Sequence, residues 1–429
     1  MFSLKKAAAG VLSCTMLLGS LVISGCSDSN TSGTQSADNT SNGSSTAHQG
    51  EIKDISSVEL VKDMKIGWSL GNTLDGGNES NRGQDPGSIE KSWGNPDTTK
   101  EMIDEIKKAG FNVLRVPTTW DWSTGEAPEY KISDEWFARV KEIVDYGMEN
   151  DMYVILNIHH ETWHDPLEKN YEAASDRLKK VWTQIGNYFK DYDEHLIFEG
   201  LNEPRVRNSD EEWNGGSDAT REVVNKLDAD FVSTIRSLDG NNKLRHLMIP
   251  GYAASSSEVA LKALKIPEND DKLIVSVHAY IPYNFALSDN KRSNKWVACK
   301  EGFTNDIDNL ADMLKTLFTD KGQAVIIGEF GARSKDNDKY RAEWAKYYVT
   351  KMKTVGVPCV WWDNGAFLGS GELFGLFDRR NLEWRYPLLK DALISASNGE
   401  YTVDGLKSDT AILDELKKDI AQSKNSSAE

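Results

Sequence analysis

Leu-Ile-Phe-Glu-Gly-Leu-Asn-Glu-Pro (196–204) and Ala-Val-Ile-Ile-Gly-Glu-Phe-Gly (324–331) decide the fold. Each begins as an apolar run of strand length and carries a glutamate at its end, Glu203 in the first and Glu329 in the second. A carboxylate at the C-terminal lip of a parallel strand sits where a (β/α)8 barrel places its reactive groups, so two of them point to acid/base or nucleophilic chemistry on one substrate. One such glutamate alone is an ordinary strand-end residue meeting water or backbone donors. Asn202 and Pro204 change that balance. The amide can hold a hydroxyl, and the proline stiffens the turn that aims Glu203.

Outward from these two runs, short apolar segments alternate with helical patterns from about residue 51 to 397, the signature of repeated βα units around a parallel sheet. Eight strands are expected near Ile66–Leu70, Val113–Val116, Tyr153–Asn157, Leu196–Gly200, Leu247–Pro250, Leu273–Val277, Ala324–Gly328 and Val357–Trp361. Between them, Thr98–Ala109, Asp134–Glu149, Tyr171–Lys190 and Ala219–Leu238 carry apolar residues at three- and four-residue spacing, as an outer helical ring requires. An open doubly wound sheet is the competing α/β architecture. It fits less well, because Gly67-Trp68-Ser69-Leu70-Gly71-Asn72 lacks the third glycine of a phosphate loop and polar residues recur at nearly every strand end. The fold class is therefore α/β, a (β/α)8 TIM barrel forming a single catalytic domain.

In barrel order the strand ends supply Asn72, Arg115, His159 with His160, Asn202 with Glu203, His278 with Tyr280, Glu329, and Trp362 with Asn364. A retaining glycoside cleavage needs one acid for the leaving oxygen, one anion for the anomeric carbon, and donors to hold both. Any one of these residues alone has a plain structural role open to it. A metal site is disfavoured on this reading: adjacent His159 and His160 on a strand point to opposite faces, and no His-Glu-x-x-His spacing occurs. No Gly-x-Ser-x-Gly elbow supports a serine hydrolase. No metal and no cofactor is expected.

The chain has 429 residues, a formal charge of −17 and 39% hydrophobic residues. That length buries a large core, and the acidic balance excludes a nucleic-acid partner, which needs clustered Lys and Arg. A neutral polysaccharide remains compatible. Lys5 and Lys6, the apolar stretch 7–23 and Ile23-Ser24-Gly25-Cys26 resemble a bacterial lipoprotein signal, so residues 1–26 are expected to direct export, with Cys26 as lipid acceptor. An ordinary signal peptide cut near the same place is the alternative; either exports the chain, as a cell-surface lipoprotein anchored in the membrane or as a secreted protein. Residues 27–50 are Ser-, Thr-, Asn- and Gly-rich and read as a flexible tether. Cys359 reads as a buried thiol, a bridge to Cys299 stays open, and residues 398–429 form an extension with one amphipathic segment, 410–421.

Seven motifs carry a resemblance: Gly-Trp-Ser-Leu-Gly-Asn-Thr-Leu-Asp (67–75), Leu-Arg-Val-Pro (114–117), Asn-Ile-His-His-Glu (157–161), Leu-Asn-Glu-Pro-Arg (201–205), Val-Ser-Val-His-Ala-Tyr (275–280), Ile-Gly-Glu-Phe-Gly (327–331) and Val-Trp-Trp-Asp-Asn-Gly (360–365). In that order they resemble glycoside hydrolase family 5, and within it the bacterial endoglucanases whose relatives also cut xyloglucan and mixed-linkage glucan. The resemblance implies Glu203 as general acid/base and Glu329 as nucleophile. It implies Arg115 and Tyr280 as partners of Glu329, His278 as the group orienting Glu203, and Asn202 as the holder of a sugar 2-hydroxyl. His159 and His160 then border the cleaved sugar, Trp362 stacks beneath it, and Asn72 and Asn364 meet its hydroxyls. Trp93, Trp120, Trp163, Trp213 and Trp296 are candidates for outlying subsites, with core packing as the ordinary alternative for each. The implied activity is a retaining endo-β-1,4-glucanase on cellulose-type β-glucan, with xyloglucan and mixed-linkage glucan as further substrates, acting as a monomer. An endo-β-mannanase, a transglycosylase and a non-catalytic glycan-binding lipoprotein are the alternatives.

Overall fold

The computed structural model describes residues 48–414 and 416–418; the expected leader with Cys26, the tether up to residue 47 and the end of the C-terminal segment lie outside these. Among the described residues, eight parallel strands close into a barrel in sequence order: β1 (Ile66–Leu70), β2 (Val113–Val116), β3 (Tyr153–Asn157), β4 (Leu196–Glu199), β5 (Leu247–Ser255), β6 (Leu273–His278), β7 (Ala324–Phe330) and β8 (Cys359–Asp363). β8 pairs back onto β1 in parallel. The fold class expected from the strand-end glutamates is the one observed.

The two-residue period of the strands builds the interior in layers. Val113, Ile155, Ile197, Met248, Ile274, Ile326 and Val360 form one buried apolar cluster inside the barrel. The helix Ser57–Asp63 closes it from below with Leu60 and Val61. Two residues further along five of these strands, one layer nearer the mouth, the residues are polar or aromatic: Arg115, Asn157, Glu199, Ser276 and Trp362. Apolar burial at the floor thus holds a charged layer in place above it.

Five strands depart from their expected bounds: β4 ends one residue early, β6 and β7 run on by one and two residues, and β5 and β8 depart for physical reasons the sequence does not display. β5 runs on to Ser255 through Ala253 and Ala254, both left-handed at φ 55° and 46°. The Ala253 N–H donates to the Pro204 carbonyl at 2.9 Å, and the Tyr252 hydroxyl accepts from Val206 N–H at 2.9 Å, so this irregular end braces the turn that carries Glu203. β8 begins at Cys359, two residues later than expected, and continues to Asp363. There the Asp363 carboxylate accepts from the Trp68 indole at 2.9 Å and from Leu376 N–H at 2.8 Å. Cys299 and Cys359 are both free thiols, which resolves the question of a bridge. Beyond Asn398, Leu406 and Leu416 pack into the main core, and Lys407 reaches Asp308 at 2.8 Å.

The helical ring is packed so closely on the barrel that one glycine sets the approach of a helix to the strands. On the helix Asp134–Glu149, a Cβ at Gly147 would stand 2.7 Å from Val154 Cγ2 and 3.0 Å from Leu114 Cδ2. Ala exceeds Gly in helix propensity by about 1 kcal/mol. Overpacking against a stiff β-branched side chain costs about 1–3 kcal/mol. The second effect wins, so Gly147→Ala is expected to lower the urea midpoint, whereas propensity alone predicts a rise.

Candidate active site

Arg115 is the hub of the charged layer. Fully buried, it gives Nε to Glu199 Oε2 at 2.8 Å, Nη1 to Glu329 Oε1 at 2.7 Å and Nη2 to Asn202 Oδ1 at 2.7 Å. Burial works against its charge, but Glu199 and Glu329 outweigh burial and raise its affinity for the proton. The same contacts fix the Asn202 amide: its Oδ1 faces the guanidinium, which leaves Nδ2 as the free donor.

Glu329 reaches the mouth through a slip in register. Val277 pairs with Ile327, but His278 pairs with Glu329, so Gly328 is bulged out between them. A Cβ at Gly328 would lie 2.9 Å from Ser276 Oγ and 3.2 Å from His278 Nε2, which makes glycine the residue that fits. The bulge turns Glu329 into the phase that faces the cavity. There the Tyr280 hydroxyl donates to its Oε2 at 2.8 Å. Burial, with the Glu329 charge beside it, pushes the Tyr280 hydroxyl well above its usual range, so the phenol stays a donor.

Glu203 lies opposite. Its Oε1 is 2.8 Å from His278 Nδ1, which is in turn 3.6 Å from Glu329 Oε2. One oxygen of each glutamate and the imidazole nitrogen all fall within 4.8 Å of one another. Arg205 adds a guanidinium contact to Glu203 Oε2 at 3.3 Å. Burial pushes Glu203 up, but His278 and Arg205 more than reverse this and hold it below the ordinary carboxylate value. His278 moves the other way: burial disfavours its charge, and Glu329 and Glu203 outweigh burial and raise it. The pair shares one proton between acid and base.

The remaining expected residues divide. His159 is buried and stacks on Trp362 with ring centroids 5.6 Å apart and planes 3° from parallel. His160 stands edge-on to His159 at 4.4 Å. Both lie beyond the end of β3, so the opposite-face argument against a metal does not hold for them, and with Asp75 they form a close group. Asn72 is half-buried with φ 55°, and its backbone is pinned by Asp75 and Asn95. Asn364 is occupied in its own loop: Nδ2 donates to the Glu372 carbonyl at 2.6 Å, and Oδ1 accepts from Ala366 and Phe374 N–H. Its side chain thus staples the segment after β8.

Of the five tryptophans, Trp120 and Trp296 are core residues, with their indoles given to the Asn157 and Phe303 carbonyls. Trp163 is half-buried against Glu161. Trp93, 42% exposed beside His160, and Trp213, 60% exposed under Arg205 at 4.2 Å, are free to meet a ligand.

Several participants escape a reading by strand ends. Asn157 and Glu199 close β3 and β4 one layer below the lip, and Ser276 lies within β6; Ser276 Oγ donates to Glu199 Oε1 at 2.7 Å and Asn157 Nδ2 to Oε2 at 3.0 Å. The alternation Val275-Ser276-Val277-His278 in β6 is the signal that could have found Ser276; Asn157 and Glu199 show only as polar residues ending otherwise apolar runs. Arg205 was visible beside Pro204. Glu161, buried behind the histidines, accepts from Trp120 N–H at 2.6 Å and from the Trp163 indole at 2.8 Å. Burial, reinforced by Asp121, pushes its carboxyl from 4.5 up to about 7. Its contribution to stability is therefore complete below about pH 4.5 and lost as pH rises through about 7. Glu161→Gln, which cannot titrate, should gain on the wild type by on the order of 2–3 kcal/mol between about pH 5 and pH 8 in urea unfolding.

The cellulase (glycosyl hydrolase family 5) family model matches residues 77–368. Endoglucanase B of Neocallimastix patriciarum is 49% identical over 347 residues, spanning 80% of this chain and 72% of that protein. Endoglucanase A of Ruminococcus albus is 44% identical over 353 residues, spanning 81% and 94%. Among solved structures, a broad-specificity endoglucanase from Ruminococcus champanellensis with bound cellotriose superposes with a TM-score of 0.75 at 42% identity, covering 80% of this chain and 99% of that one. A family 5 lichenase from Caldicellulosiruptor sp. F32 gives 0.76 at 43% identity, covering 81% and 97%. With the barrel, the paired glutamates at its mouth and these relatives in agreement, the chain belongs to the cellulase family, glycosyl hydrolase family 5.

Proposed function

We propose that the protein is a retaining endo-β-1,4-glucanase in which Glu203 is the general acid/base and Glu329 the nucleophile. The observation that carries this reading is the approach of the two carboxylates to within 4.8 Å across His278. Retaining enzymes hold their carboxyl groups about 5–5.5 Å apart, whereas inverting enzymes need about 6.5–9.5 Å to admit a water. Arg115 and Tyr280 each donate to Glu329 and aim its carboxylate at the anomeric carbon. As that bond forms, Glu203 gives its proton to the departing glycosidic oxygen; in the second half the same carboxylate takes a proton from the water that releases the sugar.

The proton begins on the Glu203–His278 pair. In an open, wet cleft the imidazolium–carboxylate form is favoured, in line with the lowered Glu203 and raised His278. When a glycan chain displaces water, separated charge becomes costlier and the proton moves onto Glu203, where it is needed. Asn202 Nδ2 meets the 2-hydroxyl, and Trp362 with His159 forms the apolar wall against which the ring lies.

The broad-specificity endoglucanase with bound cellotriose and the lichenase among the similar structures support cellulose-type and mixed-linkage β-glucans as substrates; xyloglucan is a further substrate on the family resemblance. Reducing-sugar release from carboxymethylcellulose, lichenan, xyloglucan and mannan, with products sized over time, tests this. Early mid-length products from the first two are expected. Release confined to mannan, or to single-residue products, refutes the assignment. The Cys26 motif supports export and lipid attachment, and labelling with a fatty-acid probe should fail in Cys26→Ser.

A further inference from the structure

At the other end of the barrel, where β1–β4 begin, a cavity of about 800 Å³ is lined by His48, Lys65, Asn112, Asp151, Tyr153 and His195, among others. His48 is brought there by a strap. Its carbonyl accepts from Asp193 N–H at 3.0 Å, Gly50 N–H donates to the Asp191 carbonyl at 3.0 Å, and Asn241 Nδ2 donates to the Gly50 carbonyl at 2.7 Å.

One carboxylate orients both imidazoles. Asp193 Oδ2 is 2.9 Å from His48 Nδ1, and Asp193 Oδ1 is 3.1 Å from His195 Nδ1. An ionised carboxylate only accepts, so each Nδ1 carries the hydrogen, and in its neutral form each ring presents its Nε2 lone pair. Both Nε2 atoms face Asp151 Oδ1, at 3.3 Å from His48 and 3.8 Å from His195. One ligand atom from each of these three residues lies within 4.8 Å of the others. Three acceptors converging without a donor repel, and a positive charge among them removes the conflict.

We propose that His48 Nε2, His195 Nε2 and Asp151 Oδ1 bind a borderline divalent cation, Zn²⁺ foremost, with Asp193 as the carboxylate that orients both rings. Zn²⁺ bonds of about 2.0–2.2 Å in a tetrahedron place ligand atoms about 3.3–3.5 Å apart, close to the two shorter separations seen. Histidine ligands that give their second nitrogen to a carboxylate are the usual arrangement at such ions. Tyr153 stacks on the His195 ring at 4.7 Å and keeps it in place. Nearby ammonium groups already have partners: Lys53 pairs with Glu194 at 2.7 Å, and Lys107 donates to the Asp151 carbonyl at 2.7 Å. Asp151, whose side chain is 76% exposed, leaves the fourth position to water. The ion has no part in glycan cleavage; it ties the strap at residue 48 to loops 103 and 147 residues away in sequence. Because the ligands meet only in the folded chain, binding raises stability by mass action.

The test uses the full chain, stripped with a chelator and titrated with Zn²⁺ alone by calorimetry, with Co²⁺ absorption as a second probe of tetrahedral geometry. One equivalent of Zn²⁺ is expected. His48→Ala and His195→Ala should each weaken it at least ~100-fold and Asp193→Asn by ~10–100-fold, with glucan hydrolysis unchanged. Zn²⁺ should raise the Tm of the wild type and leave that of His48→Ala where it was. Should His195→Ala fail to fold, His48→Ala decides the matter, since it alters only the strap. No stoichiometric uptake, uptake that survives both histidine substitutions, or uptake lost in Glu203→Gln instead, overturns the proposal.

Discussion

Glu329→Gln should lose kcat by roughly 10⁴–10⁶-fold while keeping its circular dichroism, because in the proposed mechanism it removes the anion that attacks the anomeric carbon. Glu203→Gln should fall comparably on glucan, whose leaving group needs the proton, and much less on an aryl glycoside whose leaving group does not. Azide separates the roles. In Glu329→Ala the cavity left by the carboxylate admits azide on the face where Glu329 stood; azide bonds to the anomeric carbon, the aryloxide leaves, and the glycosyl azide has inverted configuration. In Glu203→Ala the covalent intermediate still forms on Glu329, and azide attacks it from the opposite side to give the retained product. Exchange of these two outcomes means the assignments are reversed; no azide product from either variant means there is no covalent intermediate.

Glu199→Leu should be the most destabilising single change in the charged layer, by about 3–5 kcal/mol in denaturant unfolding. Glu199 is fully buried and accepts from Arg115 Nε, Asn157 Nδ2 and Ser276 Oγ. Leucine fills its volume but leaves three donors without acceptors, one of them charged. The fault also reaches the reacting groups. With Glu199 gone, only Glu329 remains to balance Arg115, so the guanidinium shifts and takes Asn202 with it. A fall in kcat measured well below the unfolding transition is the expected second readout. The double variant Arg115→Met/Glu199→Leu should be less destabilised than the sum of its parts by about 1–3 kcal/mol, since it removes the buried charges together. Strict additivity means the pair is not coupled, and the hub described for Arg115 then fails.

These two experiments probe residues that differ in how visible they are along the chain. Glu203 and Glu329 stand at the ends of apolar runs, where a barrel must expose them, and their neighbours Asn202, Pro204 and Gly328 mark a turn and a bulge. Glu199 lies four residues before Glu203, in the middle of what reads as a plain buried strand. Only the closing of the barrel, which brings Arg115 of β2 across to it, gives a buried glutamate its meaning.

The tryptophans show the same division. Trp120 and Trp213 are equally loop-like in sequence, yet one is buried in the core and the other lies open under Arg205. Asn364 reads as a donor at a strand end, and only the return of the chain at Glu372 and Phe374 shows that it also holds its own loop.

By itself the sequence determined what is written in local order: strands of buried length, helices of amphipathic period, and reactive carboxylates at strand ends, since these depend on residues close together in the chain. The tertiary structure decided which distant groups share a charge or a proton. Arg115 with Glu199 and Glu329, His278 between two acids, and His48 beside His195 all depend on separations of tens to hundreds of residues, which only the closing of the barrel reduces to a few ångströms.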